Sequence, residues 1–291
     1  MYALYDTDKA RNGTYALPRF YTMKKTITDK FIKEALIIFG IILIAGIIGY
    51  TGYVLFFQQT PSNTATVTVP KIEKKLRTLC IKYAEHNQII VHDTLANAAV
   101  HEITELLISN TKIPYDVNVI IVRSRVVNAF TYPGGVIVIN TGLIKETDNP
   151  EQLAAVISHE LGHVVYKDVY RGIIQKFGTR MALIGLIGNK AGKKIIHAII
   201  CTHFSRHQET RADRFGVMLL AGVSINPLHY ADFLEKLLDK HNTGKLDRII
   251  QYVSTHPDTH KRIQRVTAKA KMFSGHEYQF SLDWQAVIDS L

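Results

Sequence analysis

In the stretch Val156-Ile157-Ser158-His159-Glu160-Leu161-Gly162-His163, two imidazoles stand four residues apart with a carboxylate beside the first. On a helix, positions i and i+4 share a face, so His159 and His163 can reach one metal ion together. Glu160 is placed to take a proton from water that the ion acidifies. That is the arrangement of a zinc-dependent hydrolase of peptide bonds. The plainer alternative is a core helix whose histidines are only hydrogen-bonded.

The flanking residues favour a helix that presents such a site. Asn149-Pro150 offers a cap and a proline at the first helical position. Leu153, Val156, Ile157, Leu161 and Val164 follow at helical spacing, and Gly162 leaves room for close backbone approach. A hydrolytic zinc site needs a third protein ligand and an open fourth position. Glu209 and Asp213, again i and i+4, can supply it. One would ligate the ion while the other hydrogen-bonds the far nitrogen of a ligand histidine. A solvated charged face is the usual meaning of such a run. His203 and His207 share that spacing but have no carboxylate between them, so a surface or supporting role is expected.

At these positions the chain resembles the zinc metallopeptidases that include HtpX-like heat-shock proteases, CAAX prenyl proteases and Oma-type inner-membrane proteases. The likeness rests on His159-Glu160-x-x-His163, on Glu209-x-x-Ala212-Asp213, and on His256-Pro257-Asp258-Thr259-His260-Lys261-Arg262. Asn128-Ala129-Phe130-Thr131-Tyr132-Pro133-Gly134-Gly135-Val136 is similar to the strand bordering the cleft in that family. The resemblance implies one zinc ion per chain, held by His159, His163 and Glu209, with Glu160 as general base. It further implies Asp213 behind a ligand histidine, His256 as a stabiliser of the oxyanion, and Arg262 as a partner for nearby carboxylates. Within the family, the chain is expected to lie nearest the periplasmic single-domain branch.

Val136-Ile137-Val138-Ile139 is β-branched throughout and reads as a strand after a Tyr-Pro-Gly-Gly turn. An edge strand beside the metal would pair with an extended substrate backbone, giving affinity with little sequence selectivity. Asn128, Ala129, Phe130, Gly134, Gly135 and Val136 are the candidates for that contact. The alternative is an ordinary core hairpin running from about Val117–Val122 to Ile139.

Residues 35–57 hold no charged side chain. As a helix that run rises roughly 34 Å, against a hydrocarbon core of about 30 Å. It is too long, and starts too late, for a typical cleaved signal, so a retained anchor is expected. Lys24, Lys25, Lys30 and Lys33 precede it, whereas residues 58–70 carry no charge. The positive-inside tendency puts residues 1–34 in the cytoplasm and the rest outside. A bacterial inner-membrane protein facing the periplasm is expected. The alternative is a mitochondrial inner-membrane protein facing the intermembrane space, although Asp6 and Asp8 suit a transit peptide poorly. Ala45, Gly46, Gly49 and Gly52 would let two anchors approach as a homo-oligomer, without a Gly-x-x-x-Gly pair to specify it.

Residues 58–70 read as a linker, and 71–291 as one catalytic domain. Helices are expected around Ile72–Glu85 and Thr94–Ile108, strands near Val117–Val122 and Val136–Ile139, and mostly helices after that. The fold class is α+β, zincin-like, with a small sheet on a helical body. Net charge is +10, which suits anionic lipid or acidic segments, and no nucleic-acid motif is present. Cys80 and Cys201 lack the spacing of a redox or zinc pair, and two buried thiols are expected. The expected substrates are unfolded or misfolded envelope and membrane proteins. Rival readings are an inactive chaperone or adaptor for such proteins, which an intact Glu160 disfavours, and a non-proteolytic zinc hydrolase.

Overall fold

The computed structural model describes residues 31–48, 62–109, 111, 113, 116–185, 196, 199, 203–243 and 250–291. Residues 1–30 and 49–61 lie outside them, and so does Cys201. The expectations placed on those residues rest on sequence alone. The chain falls into two units, Met1–Ala65 and Thr66–Leu291. In the first, helix α1 (Phe31–Ile48) is long and apolar enough to cross a membrane by length and composition.

The second unit is built around Val136–Asn140. Each residue of this strand is buried, which explains its unbroken β-branched composition. Successive side chains point to opposite faces, so Ile137 and Ile139 enter one core while Val136 and Val138 enter another. Strand β1 (Asn118–Val122) pairs with this middle strand, β3, in parallel; β2 (Ala129–Tyr132) pairs with it antiparallel. The order β1-β3-β2 makes β2 an edge. Two of the sequence expectations are corrected here. The segment from Val136 is the central strand rather than a free edge, and β1 does not form a hairpin with it. A residue pattern gives strand identity, but the choice of neighbour is made by how the sheet is covered.

On the first face lie α3 (Thr94–Ser109), α5 (Pro150–Val165) and helices from Arg206 onward. On the second lie α2 (Ser62–Asn87) and α6 (Asp168–Gly185), through Ile72, Leu76, Cys80, Val169 and Ile173. The short α4 (Thr141–Ile144) leads from β3 toward α5. Beyond α6 come α7 (Arg206–Gly222), α8 (Leu228–Asn242), α9 (Ile250–Thr255), α10 (Thr259–Ala270) and α11 (Trp284–Asp289). The fold is α+β and mainly helical. Residues 62–70, expected as linker, are helical, because α2 propagates back from its core-packed turns through a Ser/Thr-rich segment. Cys80 is a buried free thiol, and burial raises its pKa.

α2 also clamps the turn between β2 and β3. The Arg77 guanidinium donates to the carbonyls of Gly134 and Asp116, the latter at 3.0 Å. Gly134 has φ +82°, and a Cβ there would lie 2.9 Å from Arg77 Cβ. Gly134→Ala combines left-handed strain with that collision. It is expected to destabilise by about 1–3 kcal/mol and lower the thermal midpoint by roughly 3–8 °C. An unchanged midpoint would show that the clamp has slack.

Candidate metal centre

Helix α5 begins as its sequence dictates. The Asn149 side chain accepts from the Gln152 amide at 2.9 Å, and Pro150 occupies the first turn. α7 begins with a capping box, in which Ser205 and Gln208 satisfy each other's backbone amides. The two helices cross closely because two glycines lie in the contact. A Cβ on Gly162 would lie 2.8 Å from Ala212 Cα, and one on Gly216 would lie 3.1 Å from the His159 amide nitrogen. This approach brings the i, i+4 face of α5 against Glu209 of α7.

His159 Nε2 lies 3.1 Å from His163 Nε2 and 3.6 Å from Glu209 Oε2. His163 Nε2 is 3.4 Å from Glu209 Oε1. His256 follows α9, and its Nδ1 lies 3.2 Å from His159 Nε2 and 3.1 Å from Glu209 Oε1. The four donor atoms all lie within 4.8 Å of one another, and all four residues are buried. Metal–ligand bonds of about 2.0–2.1 Å at tetrahedral angles put neighbouring donors roughly 3.3–3.4 Å apart. The donor set therefore fits one small divalent ion.

The other atoms of these residues are held in place. His163 Nδ1 donates to Asp168 Oδ2 at 2.9 Å, and His159 Nδ1 to Asp213 Oδ1 at 3.0 Å. Each bond holds its ring so that Nε2 faces the cluster. Asp168 also accepts from Arg211 and, at 3.3 Å, from Gln208 Nε2. Arg262 is fully buried; its Nη1 pairs with Glu209 Oε2 at 2.9 Å, and its Nη2 with Asp213 Oδ1 at 2.8 Å and with the Tyr230 hydroxyl. The Phe204 ring stacks on His163 at 3.8 Å, closing that side with an apolar face.

Glu160 is buried beside this cluster. Its Oε2 accepts from the Thr131 hydroxyl at 2.7 Å. Its Oε1 and His256 Nε2 lie 3.5 Å apart, and neither has a hydrogen-bond partner among the described residues. The edge strand β2 runs alongside. Asn128, Ala129 and Phe130 lie at its start, Gly134 and Gly135 form the turn, and Val136 opens the central strand. His203, His207 and His260 are exposed and stand outside the donor cluster.

The charges explain why such a site attracts cations. Glu160, Glu209, Asp168 and Asp213 outnumber the guanidinium groups of Arg211, Arg262 and Arg265 that pair with them. Burial opposes ionisation of Glu209, but Arg262 and His256 hold its carboxyl well below the usual range. Burial and then Arg262 lower His159 to about 4, against the pull of Asp213. Burial also disfavours a charged His163, yet Asp168 and Glu209 outweigh it and raise the ring to about 9. Without an ion, His163 thus holds a proton at neutral pH. Ion binding must expel it, so apparent zinc affinity should rise about tenfold per pH unit between pH 6 and 8 and level off near 9. Calorimetric titration across that range checks this, and a flat profile would show His163 neutral at rest.

Four residues of the site carried no recognisable sequence pattern, Asp168, Tyr230, Phe204 and Arg211, and Thr131 stood in the recognised strand segment without being singled out. Asp168 lies five residues after His163 and looks like an ordinary acidic start to a helix. The others come from separate elements and meet only in the fold.

Comparison with known proteins adds a second line. Residues 94–270 match the profile of Peptidase family M48. The chain is 34% identical over 149 residues to the mitochondrial metalloendopeptidase OMA1 of Arabidopsis thaliana, covering 50% of this chain and 30% of that one. It is 25% identical over 217 residues to the beta-barrel assembly-enhancing protease of Yersinia pestis, covering 67% and 43% respectively. With the metalloprotease LoiP of Escherichia coli strain K12 it shares 30% over 164 residues, covering 52% and 61%. The chain thus spans less than two thirds of the length of each of these relatives.

Proposed function

Because the chain belongs to Peptidase family M48, we propose that it is a membrane-anchored zinc metalloendopeptidase that cleaves unfolded or misfolded proteins of a cell envelope. The observation that carries this reading is the buried cluster of His159, His163, Glu209 and His256, beside a Glu160 oxygen that has no hydrogen-bond partner among the described residues. Three nitrogens and a carboxylate without sulfur suit zinc. One ion is assigned per chain, held by His159, His163 and Glu209. When bound, it supplies the Lewis acidity that polarises a scissile carbonyl and acidifies water.

The protein's own groups do the rest. Glu160 Oε1 is the free acceptor that takes a proton from the attacking water and returns it to the leaving amine. Asp168 and Asp213 hold the histidine rings, and Arg262 holds Glu209 and Asp213. In β2, the backbone groups of Ala129 and Thr131 face away from β3. An extended peptide adding there would be bound through its main chain, with weak dependence on sequence.

His256 is assigned a gating role at rest, because its Nδ1 occupies the fourth corner of the donor set. The oxyanion role implied by the family resemblance requires it to leave that corner. His256→Ala keeps three donors and opens the fourth, so zinc should stay at one per chain and cleavage should rise severalfold. A fall in cleavage with zinc retained would assign His256 to the oxyanion instead.

α1 supports a single-pass anchor, and the charges before it support a bacterial inner-membrane protein with the catalytic unit in the periplasm. The test uses the full chain in detergent micelles with a reduced, alkylated unfolded protein. Cleavage that chelation abolishes and zinc restores would support the reading. Binding without cleavage would favour a chaperone or adaptor.

A further inference from the structure

Building on the metalloendopeptidase reading, we infer that Thr131 is a positioning residue that orients Glu160 and ties that orientation to the substrate-binding edge. Its hydroxyl lies 2.7 Å from Glu160 Oε2 and 3.3 Å from the Glu160 carbonyl oxygen. A hydroxyl has one proton to give, and the shorter contact, to the carboxylate, takes it. Both residues are buried, so water does not replace the bond. With Oε2 engaged, Oε1 is the carboxylate oxygen left without a partner among the described residues. It is also the oxygen 3.5 Å from His256 Nε2. Thr131 therefore decides which oxygen stays free and where it points.

The same residue sits on β2, an outer strand of the sheet, where it is 3% exposed. The Asn128 carbonyl accepts from the Asn140 amide at 3.0 Å. Hydrogen-bonded pairs alternate along an antiparallel ladder, so Phe130 and Tyr132 bond to Val138 and Val136. The amides and carbonyls of Ala129 and Thr131 then face away from β3, on a side that is covered in this structure, since both residues are buried. An extended substrate pairing with β2 would bind the Thr131 backbone while the Thr131 side chain holds Glu160. One β-branched residue, stiff at χ1, thus aligns the scissile chain and the base against each other.

Thr131→Val keeps the shape and removes the hydroxyl, while Thr131→Ser keeps the hydroxyl. The zinc-loaded full chain in detergent micelles is assayed on a reduced, alkylated unfolded protein. Thr131→Val should lower kcat about ten- to hundredfold, with KM within about threefold and one zinc per chain retained. Thr131→Ser should stay within about threefold of wild type. A crystal structure of Thr131→Val, which needs no activity, should show the Glu160 carboxylate turned from its wild-type position. Wild-type turnover by Thr131→Val, equal loss in both variants, or an unmoved Glu160 would overturn the inference. An inactive wild-type chain would sink the metalloendopeptidase reading alone, and the Glu160 position in Thr131→Val would still decide the role of Thr131.

Discussion

Glutamine in place of Glu160 is expected to leave zinc bound and to lower turnover by about 10²- to 10⁴-fold. The substitution is nearly isosteric, and its amide can still meet the Thr131 hydroxyl, 2.7 Å from Oε2 in the native protein. What it removes is the proton acceptor at Oε1, a buried oxygen without a hydrogen-bond partner among the described residues. The four donor atoms of the cluster belong to His159, His163, Glu209 and His256, so metal content should not change. Cleavage rates measured beside zinc content check both halves. Turnover within tenfold of wild type would remove Glu160 from the reaction.

Gly162→Ala is expected to have the largest effect of any substitution that touches no charged group. The added Cβ would lie 2.8 Å from Ala212 Cα and 3.0 Å from the Ala212 carbonyl oxygen. Backbone cannot swing aside as a flexible side chain can, so one helix must move. The helices concerned carry His159 and His163 on one side and Glu209 on the other. A loss of about 2–4 kcal/mol of stability is expected. Displacing a ligand by a fraction of an ångström should weaken zinc binding at least about a hundredfold. Gly216→Ala meets Ser158 Oγ at 3.0 Å and the His159 amide nitrogen at 3.1 Å, and should cost less. Thermal unfolding and zinc titration of the two variants rank them. A Gly162→Ala protein with wild-type affinity would show that the crossing has slack.

Sequence revealed the parts of this molecule that depend on periodicity. The i, i+4 spacings of His159/His163 and Glu209/Asp213 were readable because a helix turns that spacing into a shared face. The cap at Asn149 was local for the same reason. The buried strand from Val136 announced itself through β-branching, but its place in the middle of the sheet did not. That depends on β1 and β2 arriving on either side from elsewhere in the chain. His256 was legible as a functional histidine, yet its position at a corner of the donor set depends on the packing of α9 and α10. Asp168, and the role of Thr131 within its strand, were not readable for a related reason. Each is an ordinary residue whose partner, His163 or Glu160, is defined only after the helices and sheet have docked.

The most direct test is a crystal structure of the zinc-loaded full chain with anomalous data collected at the zinc edge. One anomalous peak per chain is expected, enclosed by His159 Nε2, His163 Nε2, a Glu209 carboxylate oxygen and His256 Nδ1. A peak bounded instead by His203 and His207, or no peak within the buried cluster, would contradict the metal centre and the hydrolytic function built on it.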